Sequence, residues 1–247
     1  MLVGRDRRTG VFFGHAVPLK GAGVDWIAGQ MVRDIYKCGY YGRVVLRSDQ
    51  EPALQDLLEE VARKRGDLPT VIESSPVGES QSNGFIERAV RSVEEMVRTH
   101  KLALESRLGE RIAVDHPAIA WLIEHSVDLL NKCQMGKDGR TPYERLKGKR
   151  YGGTFMDFGC PVMLRVTDKP QGGLMQERWV EGTWLGMRWS TWEHLVSRRS
   201  DGVVVRTRRS VKCLGQRRCR TLNPSSANPA HPRVYNALRG QRYSVLP

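Results

Sequence analysis

The sequence predicts an α/β fold: a mixed sheet flanked by helices, followed by a small antiparallel β-domain. Three observations predict it. Short apolar runs alternate with amphipathic stretches through residue 150. After Gly152 and Gly153 the texture changes to short β-type runs separated by turn residues. Beyond about Gly215 the chain is rich in Arg, Pro, Asn and Ser, without apolar periodicity. The expected division is an α/β core over 1–150, a β-barrel-like domain over 151–214 and a basic, disordered tail over 215–247.

Leu2 and Val3, the polar stretch Asp6 to Gly10, and Val11 to Phe13 read as two strands joined by a turn. From Val24 to Cys38, Trp26, Ile27, Met31, Ile35 and Tyr36 recur near helical spacing until Gly39. Val44 to Leu46 is a short buried-strand signal ending at Ser48 and Asp49. Pro52 suits the first turn of a helix whose apolar face is Leu54, Leu57, Leu58 and Val61, with Gly66 as its stop. Val71 and Ile72 form another short strand, followed by a loop from Ser74 to Ser82. A longer helix starts at Asn83, with Ile86, Ala89, Val90, Val93, Met96 and Val97 on its apolar face. A second runs from about Pro117 to Cys133, and Thr141 and Pro142 open a short third that Gly148 ends.

In the β-region the strand signals are Val162 to Val166, Gly182 to Gly186, His194 to Val196 and Val203 to Val205. Four of the six tryptophans fall between 179 and 192. That texture suits a small antiparallel barrel or sandwich. Its tryptophans are read first as core of a small domain, with base stacking as the alternative.

The chain has 247 residues, 40% apolar and 27% charged, which suits a folded protein rather than a disordered or fibrous one. Its longest apolar run, Ala118 to Ile123, is too short to cross a bilayer, so no membrane partner is expected. Met1 to Gly4 leads directly into Arg5, without an apolar leader, so an intracellular location is expected, the nucleus included. The five cysteines (38, 133, 160, 213, 219) are odd in number and lack the spacing of a zinc site or disulfide framework, and are read as reduced thiols.

Charge is the most informative bulk property. The net charge is +13, and residues 198–247 carry eleven Arg and Lys212 against the single acid Asp201. The near-neutral remainder and this basic segment point to a polyanion partner, with nucleic acid first among them. A solubilising or membrane-surface tail is the alternative. Arg206, Arg208, Arg209, Lys212, Arg217, Arg218 and Arg220 are the candidate phosphate contacts, and the same run also reads as a nuclear-import signal.

Asp49 falls at the carboxyl end of a predicted buried strand, where open α/β sheets place functional groups. Glu87 follows 38 positions on, in the predicted first turn of the long helix, and heads a polar stripe with Arg91, Glu94 and Arg98. Carboxylates from a strand end and a helix start are suitable Mg²⁺ ligands, and two such ions drive phosphodiester chemistry. A solvated turn and a solvated helix face explain the same two residues.

At these positions the sequence resembles a known family. Leu46-Arg47-Ser48-Asp49-Gln50-Glu51, Ser74-Ser75-Pro76, and Ser80-Gln81-Ser82-Asn83-Gly84-Phe85-Ile86-Glu87-Arg88 resemble the catalytic core of retroviral and retrotransposon integrases. Thr141 to Gly148 and Phe158-Gly159-Cys160 are similar to the copia-type retrotransposon integrases in particular. The resemblance spans about residues 2 to 213.

It implies an RNase H-like core with a following small β-domain, made as part of a retrotransposon polyprotein. It further implies a DDE triad holding two Mg²⁺ or Mn²⁺ ions, for 3′-end processing and strand transfer. DNA, as element ends and target, and a homo-multimer are the implied partners. Asp49 matches the second Asp of the triad and Glu87 its Glu. Asn83 and Gly84 match the end of a loop that touches the DNA end, and Arg91 a basic DNA contact. No residue of this chain matches the first Asp, which the family carries on a strand ahead of the Leu2–Val17 hairpin, and Asp6 matches only a turn residue. The His-His-Cys-Cys zinc module expected upstream is likewise unmatched. Two carboxylates are too few for two ions, so impaired catalysis is expected, with a non-catalytic nucleic-acid-binding remnant as the alternative. A sheet without that central strand would carry unpaired backbone groups or repack.

Overall fold

The chain first doubles back at Asp6. In the computed structural model, which describes residues 1–17, 24–74, 80–153, 155–165, 178–188, 191, 193–208 and 211–214, strands β1 (Leu2–Arg5) and β2 (Phe12–His15) pair antiparallel, Leu2 opposite His15 and Arg5 opposite Phe12. The Asp6 carboxylate folds the turn by accepting from the Thr9 amide at 2.8 Å and from the Thr9 hydroxyl. Gly10 closes it at a φ of 78°, a backbone conformation that favours glycine.

Helix α1 (Val24–Lys37), strand β3 (Val44–Ser48), helix α2 (Pro52–Arg65) and strand β4 (Thr70–Ser74) follow. β3 and β4 pair parallel, Val44 opposite Thr70 and Ser48 opposite Ser74, with α2 as the crossover. Pro52 takes the first helical position, where its missing N–H costs nothing. At the other end of α2, the buried Arg65 donates to Thr70 Oγ1 at 2.6 Å and to the Gly42 carbonyl at 2.7 Å, tying the helix end to the segments that enter β4 and β3. Ile27, Ala28 and Val32 of α1 and Leu57 and Val61 of α2 form one core, against which Leu2 of β1 and Leu46 of β3 pack.

The α/β part thus alternates strands and helices, with both antiparallel and parallel pairing, as the sequence predicts. Its strands form two ladders, β1–β2 and β3–β4, and among the described residues no strand joins them.

Helix α3 (Ser80–Leu108) starts three residues earlier than Asn83, because the polar Ser80, Gln81 and Ser82 carry no apolar periodicity to reveal it. Helix α4 (Ala118–Cys133) follows, then α5 (Pro142–Lys147). Thr141 caps α5 in a full capping box: its side chain accepts from the Glu144 amide, and the Glu144 side chain accepts from the Thr141 amide. The chain divides into two compact units, residues 1–95 with 129–150, and residues 96–128 with 151–247.

In the second unit, strands β5 (Pro161–Arg165), β6 (Trp179–Arg188), β7 (Glu193–Arg198), β8 (Val204–Thr207) and β9 (Val211–Cys213) form an antiparallel sheet in the order β8-β7-β6-β5-β9. Alternation along the strands buries both faces. Leu185 and Leu195 join Leu104, Ile112, Leu122 and Phe158 on one side. Trp184 and Val196 join Cys160, Val162 and Leu164 on the other. The register of β6 against β7 shifts between Trp184 and Gly186, a β-bulge. β9 was not legible in advance, since three residues among arginines give no strand signal. No helix among the described residues is long and apolar enough to cross a membrane.

Candidate functional site

Asp49 stands immediately after β3, at the carboxyl end of the parallel pair, and is exposed. Gln55 of α2 holds this corner. Its Nε2 donates to the Asp49 carbonyl at 3.1 Å and to Ser74 Oγ, at the end of β4, at 2.9 Å. Ser48 Oγ donates to the same Asp49 carbonyl at 3.0 Å. One amide thus bridges the ends of both strands and fixes the backbone from which the Asp49 carboxylate projects.

Glu87 is exposed on α3. Because the helix begins at Ser80, Glu87 lies about two turns in rather than in the first turn. Arg91, Glu94 and Arg98 are exposed with it, while Ala89 and Val93 are fully buried, so the polar stripe read from the sequence is a solvent face. Asn83 and Gly84 lie within the helix rather than in a loop before it. Among the described residues, no three His, Cys, Asp or Glu side chains gather where they would hold a metal ion.

That donor set decides how far a two-ion reading goes. Asp49 and Glu87 offer hard carboxylate oxygens, the right chemistry for Mg²⁺ or Mn²⁺. Two carboxylates on separate elements do not bracket two ions, which share ligands and must fix both attacking and leaving oxygens. The residues present do not fit a complete two-metal site.

The C-terminal basic candidates are in part already engaged. Arg206 is exposed on β8. Arg208 lies 3.7 Å from Glu193. Lys212, exposed on β9, has its ammonium 4.9 Å from the ring centre of Trp179, a cation–π contact. Arg209, Arg217, Arg218 and Arg220 lie outside the described residues. The neighbouring Arg198 and Arg199 pair with Asp201 and Glu181. Trp184 is buried, its Nε1 donating to His194 Nδ1 at 3.1 Å, which makes it core.

Two further polar groups escaped the sequence reading. His15 Nε2 and Lys37 Nζ both contact the buried Asp34 carboxylate, at 2.5 and 2.6 Å. Burial pushes that carboxyl up, but the hydrogen bonds and charges of His15 and Lys37 together hold it below its usual range. The other is a cluster of arginines and aromatic rings at the β1–β2 turn. Its members lie more than 80 positions apart in sequence, and the one signal local to the turn is the run Arg5, Arg7, Arg8.

No protein-family model matches the chain. No curated protein matches it either. Among solved structures, the chain is similar to the catalytic core domain of BIV integrase, with 20% identity over 59% of this chain and 84% of that one, at a TM-score of 0.39. It is also similar to a chain of the simian T-cell lymphotropic virus intasome in complex with PP2A regulatory subunit B56 gamma, with 14% identity over 87% of this chain and 72% of that one, at a TM-score of 0.42.

Proposed function

We propose that this chain is a nucleic-acid-binding core of integrase type, whose class activity is DNA integration and whose own catalytic set is incomplete. One observation carries the reading. The motif residue Asp49 ends a parallel strand, held there by Gln55, and the second motif carboxylate, Glu87, is exposed on the long helix. One carboxylate at a strand end and one on a helix face support the assignment made from the motif.

In this reading residues 1–150 are the core, 151–214 its small β-domain and 215–247 a basic extension. Asn83, Gly84 and Arg91 lie toward the DNA end, and the basic residues from Arg206 onward bind phosphates through salt-sensitive contacts that do not depend on base sequence. DNA is the partner, as element end and target, and assembly is multimeric. Asp49 and Glu87 would each offer oxygen ligands to Mg²⁺ or Mn²⁺, which supplies charge neutralisation at a phosphodiester when bound. The third ligand of the family's triad has no counterpart among the residues of this chain.

The test is binding and strand transfer on one preparation. The chain is incubated with a labelled DNA end and Mn²⁺, beside Glu87→Gln. Salt-sensitive binding without transfer products is the expected result. Products that vanish in Glu87→Gln would mean that another residue completes the site, and absence of DNA binding at moderate salt would overturn the reading altogether.

A further inference from the structure

The turn between β1 and β2 carries a basic surface that includes none of the residues to which the resemblance gives a metal or DNA role, although Phe85 and Arg88 lie in the segment that carries it. Arg5 is pinned between two rings, its guanidinium carbon 4.5 Å from the ring centre of Phe12 and 4.7 Å from that of Phe85 on α3. Arg7 approaches Phe85 as well, at 5.9 Å. Arg8 lies 5.2 Å from the ring centre of Tyr40. Arg88 follows Phe85 on α3 by three positions and is exposed, as are Arg7 and Arg8. Arg145 of α5 donates to the Thr9 carbonyl at 3.1 Å, which brings a further guanidinium to the same turn.

Two of the acids nearby are spoken for. Asp6 accepts from Thr9 and from the Tyr40 hydroxyl, the latter at 2.9 Å. Asp138 is paired with Arg145. Glu87 is exposed beside Arg88 on the helix. Arg5 itself is held by ring faces and by a long hydrogen bond to the Gly10 carbonyl at 3.4 Å, and among the described residues no carboxylate pairs with Arg5, Arg7 or Arg88. Burial, followed by the charges of Arg145 and Arg88, pulls the Arg5 guanidinium below its ordinary range. Arg5, Arg7 and Arg88 therefore bring like charges together without a carboxylate paired to any of them among the described residues, which is the electrostatic condition for taking up an anion.

We propose that Arg5, Arg7 and Arg88, gathered around Phe85, form a phosphodiester-binding site that grips the backbone of a nucleic acid strand. The inference rests on the nucleic-acid-binding reading and adds to it a contact in the α/β core, apart from the basic C-terminal segment. The planar guanidinium fork matches two phosphate oxygens at once. The two phenylalanine rings pre-orient Arg5, so little side-chain freedom is lost on binding. Arg145 is committed to Asp138 and Thr9, and it contributes positive field rather than a direct contact. The site reads no base sequence, since backbone contacts position a strand without specifying it.

The experiment uses the full chain and a fluorescein-labelled duplex of about 20 base pairs, with affinity followed from about 50 to 300 mM salt. Arg7 and Arg88 are exposed, so R7A/R88A tests the site without disturbing the core, and thermal melting checks that it folds. R7K/R88K keeps the charge and loses the fork. R217A/R218A/R220A removes the tail candidates independently. The expected result is that R7A/R88A lowers the slope of log affinity against log salt by about 2, one unit per lost phosphate contact, on any duplex sequence. R7K/R88K should keep most of the slope and bind more weakly than wild type. A wild-type slope in R7A/R88A, with binding lost in the tail variant, would overturn this site and leave the broader reading standing. No binding by the wild type would overturn both. Poly-glutamate competing as well as DNA, with the competition relieved in R7A/R88A, would overturn the nucleic acid assignment in favour of an acidic peptide.

Discussion

Asn131 of α4 grips both backbone polar groups of Phe12, 119 positions earlier in the chain. Its Oδ1 accepts from the Phe12 amide at 2.7 Å, and its Nδ2 donates to the Phe12 carbonyl at 2.9 Å. In an antiparallel ladder both groups of one residue point to the same side, so these face away from β1. A single carboxamide, the one side-chain group with a donor and an acceptor side by side, thus stands in for a neighbouring strand along β2. Phe12 and Asn131 are both buried, so no water replaces the lost partners if the amide is removed.

Asn131→Leu should therefore cost about 2–4 kcal/mol, the penalty of two buried backbone groups left unsatisfied, read as a lower urea midpoint at unchanged slope. Asn131→Asp keeps the acceptor for the Phe12 amide but sets a carboxylate against the Phe12 carbonyl. It should be destabilising too, most of all at neutral pH, where the carboxylate is charged. Equal stability of wild type and Asn131→Leu would show that the clamp contributes nothing.

How much of this was legible in advance depended on distance along the chain. Val44 to Leu46 and Pro52 to Val61 announce a strand and a helix through local periodicity and one proline, and β3 and α2 stand there. Asp49 at the strand end was legible for the same reason. Ser80 to Ser82 and β9 were not, because short polar stretches carry no period. The Asn131 clamp and the Arg5–Phe85 stack each join residues about 80 or more positions apart, and nothing local in either segment requires its partner.

Stability in the second unit should fall as the medium becomes mildly acidic. His100 of α3 is partly buried, its Nδ1 2.9 Å from Ser126 Oγ, with the ring of His125 centred 5.2 Å away. Burial lowers its pKa first; the charge of Asp157 opposes that shift and the charge of Arg107 adds to it. A histidine that resists protonation only when folded contributes fully above its ordinary value near about 6.5, and the contribution is lost as pH falls through that value toward the folded one. His100→Gln, whose amide still reaches toward Ser126, should flatten the dependence. The check is the difference in urea midpoint between wild type and variant from about pH 8 to pH 5, which should shrink or reverse at the acid end. A constant difference would mean that His100 does not titrate in this window.

Thiol chemistry should sort by burial. Burial pushes the Cys38 thiol up to about 12, with the charges of Asp6 and Asp34 adding to it. The hydrogen bond that the Cys160 thiol donates to Cys213, together with burial, raises Cys160 well above the ordinary thiol range. Cys133, at the end of α4, is exposed. The thiolate is the reactive form, so an alkylating agent at mildly alkaline pH should label Cys133 well before Cys38 or Cys160, which react at matching rates only after denaturation. Peptide mass spectrometry over a time course checks the order, and early labelling of Cys160 would show that β5 opens readily.

Two glycine substitutions should move stability in opposite directions. A Cβ at Gly182 of β6 would lie 2.5 Å from Val196 Cγ1 and 2.8 Å from the Ser197 carbonyl oxygen, the latter a backbone atom that cannot swing aside. Gly182 of β6 stands opposite Arg198 of β7 in the ladder, so the strands would have to separate to admit a methyl group. Gly182→Ala should lose about 1–3 kcal/mol, the usual cost of overpacking a close contact. A Cβ at Gly84, inside α3, would meet nothing within 4 Å. Alanine there restricts the unfolded chain and suits a helix, so Gly84→Ala should gain about 0.5–1 kcal/mol. The same variant carries functional information, because Gly84 is matched to a segment that touches the DNA end. If strand approach at that point needs the bare backbone, Gly84→Ala will bind DNA more weakly while melting higher, and a variant that both melts higher and binds as wild type would remove Gly84 from the interface.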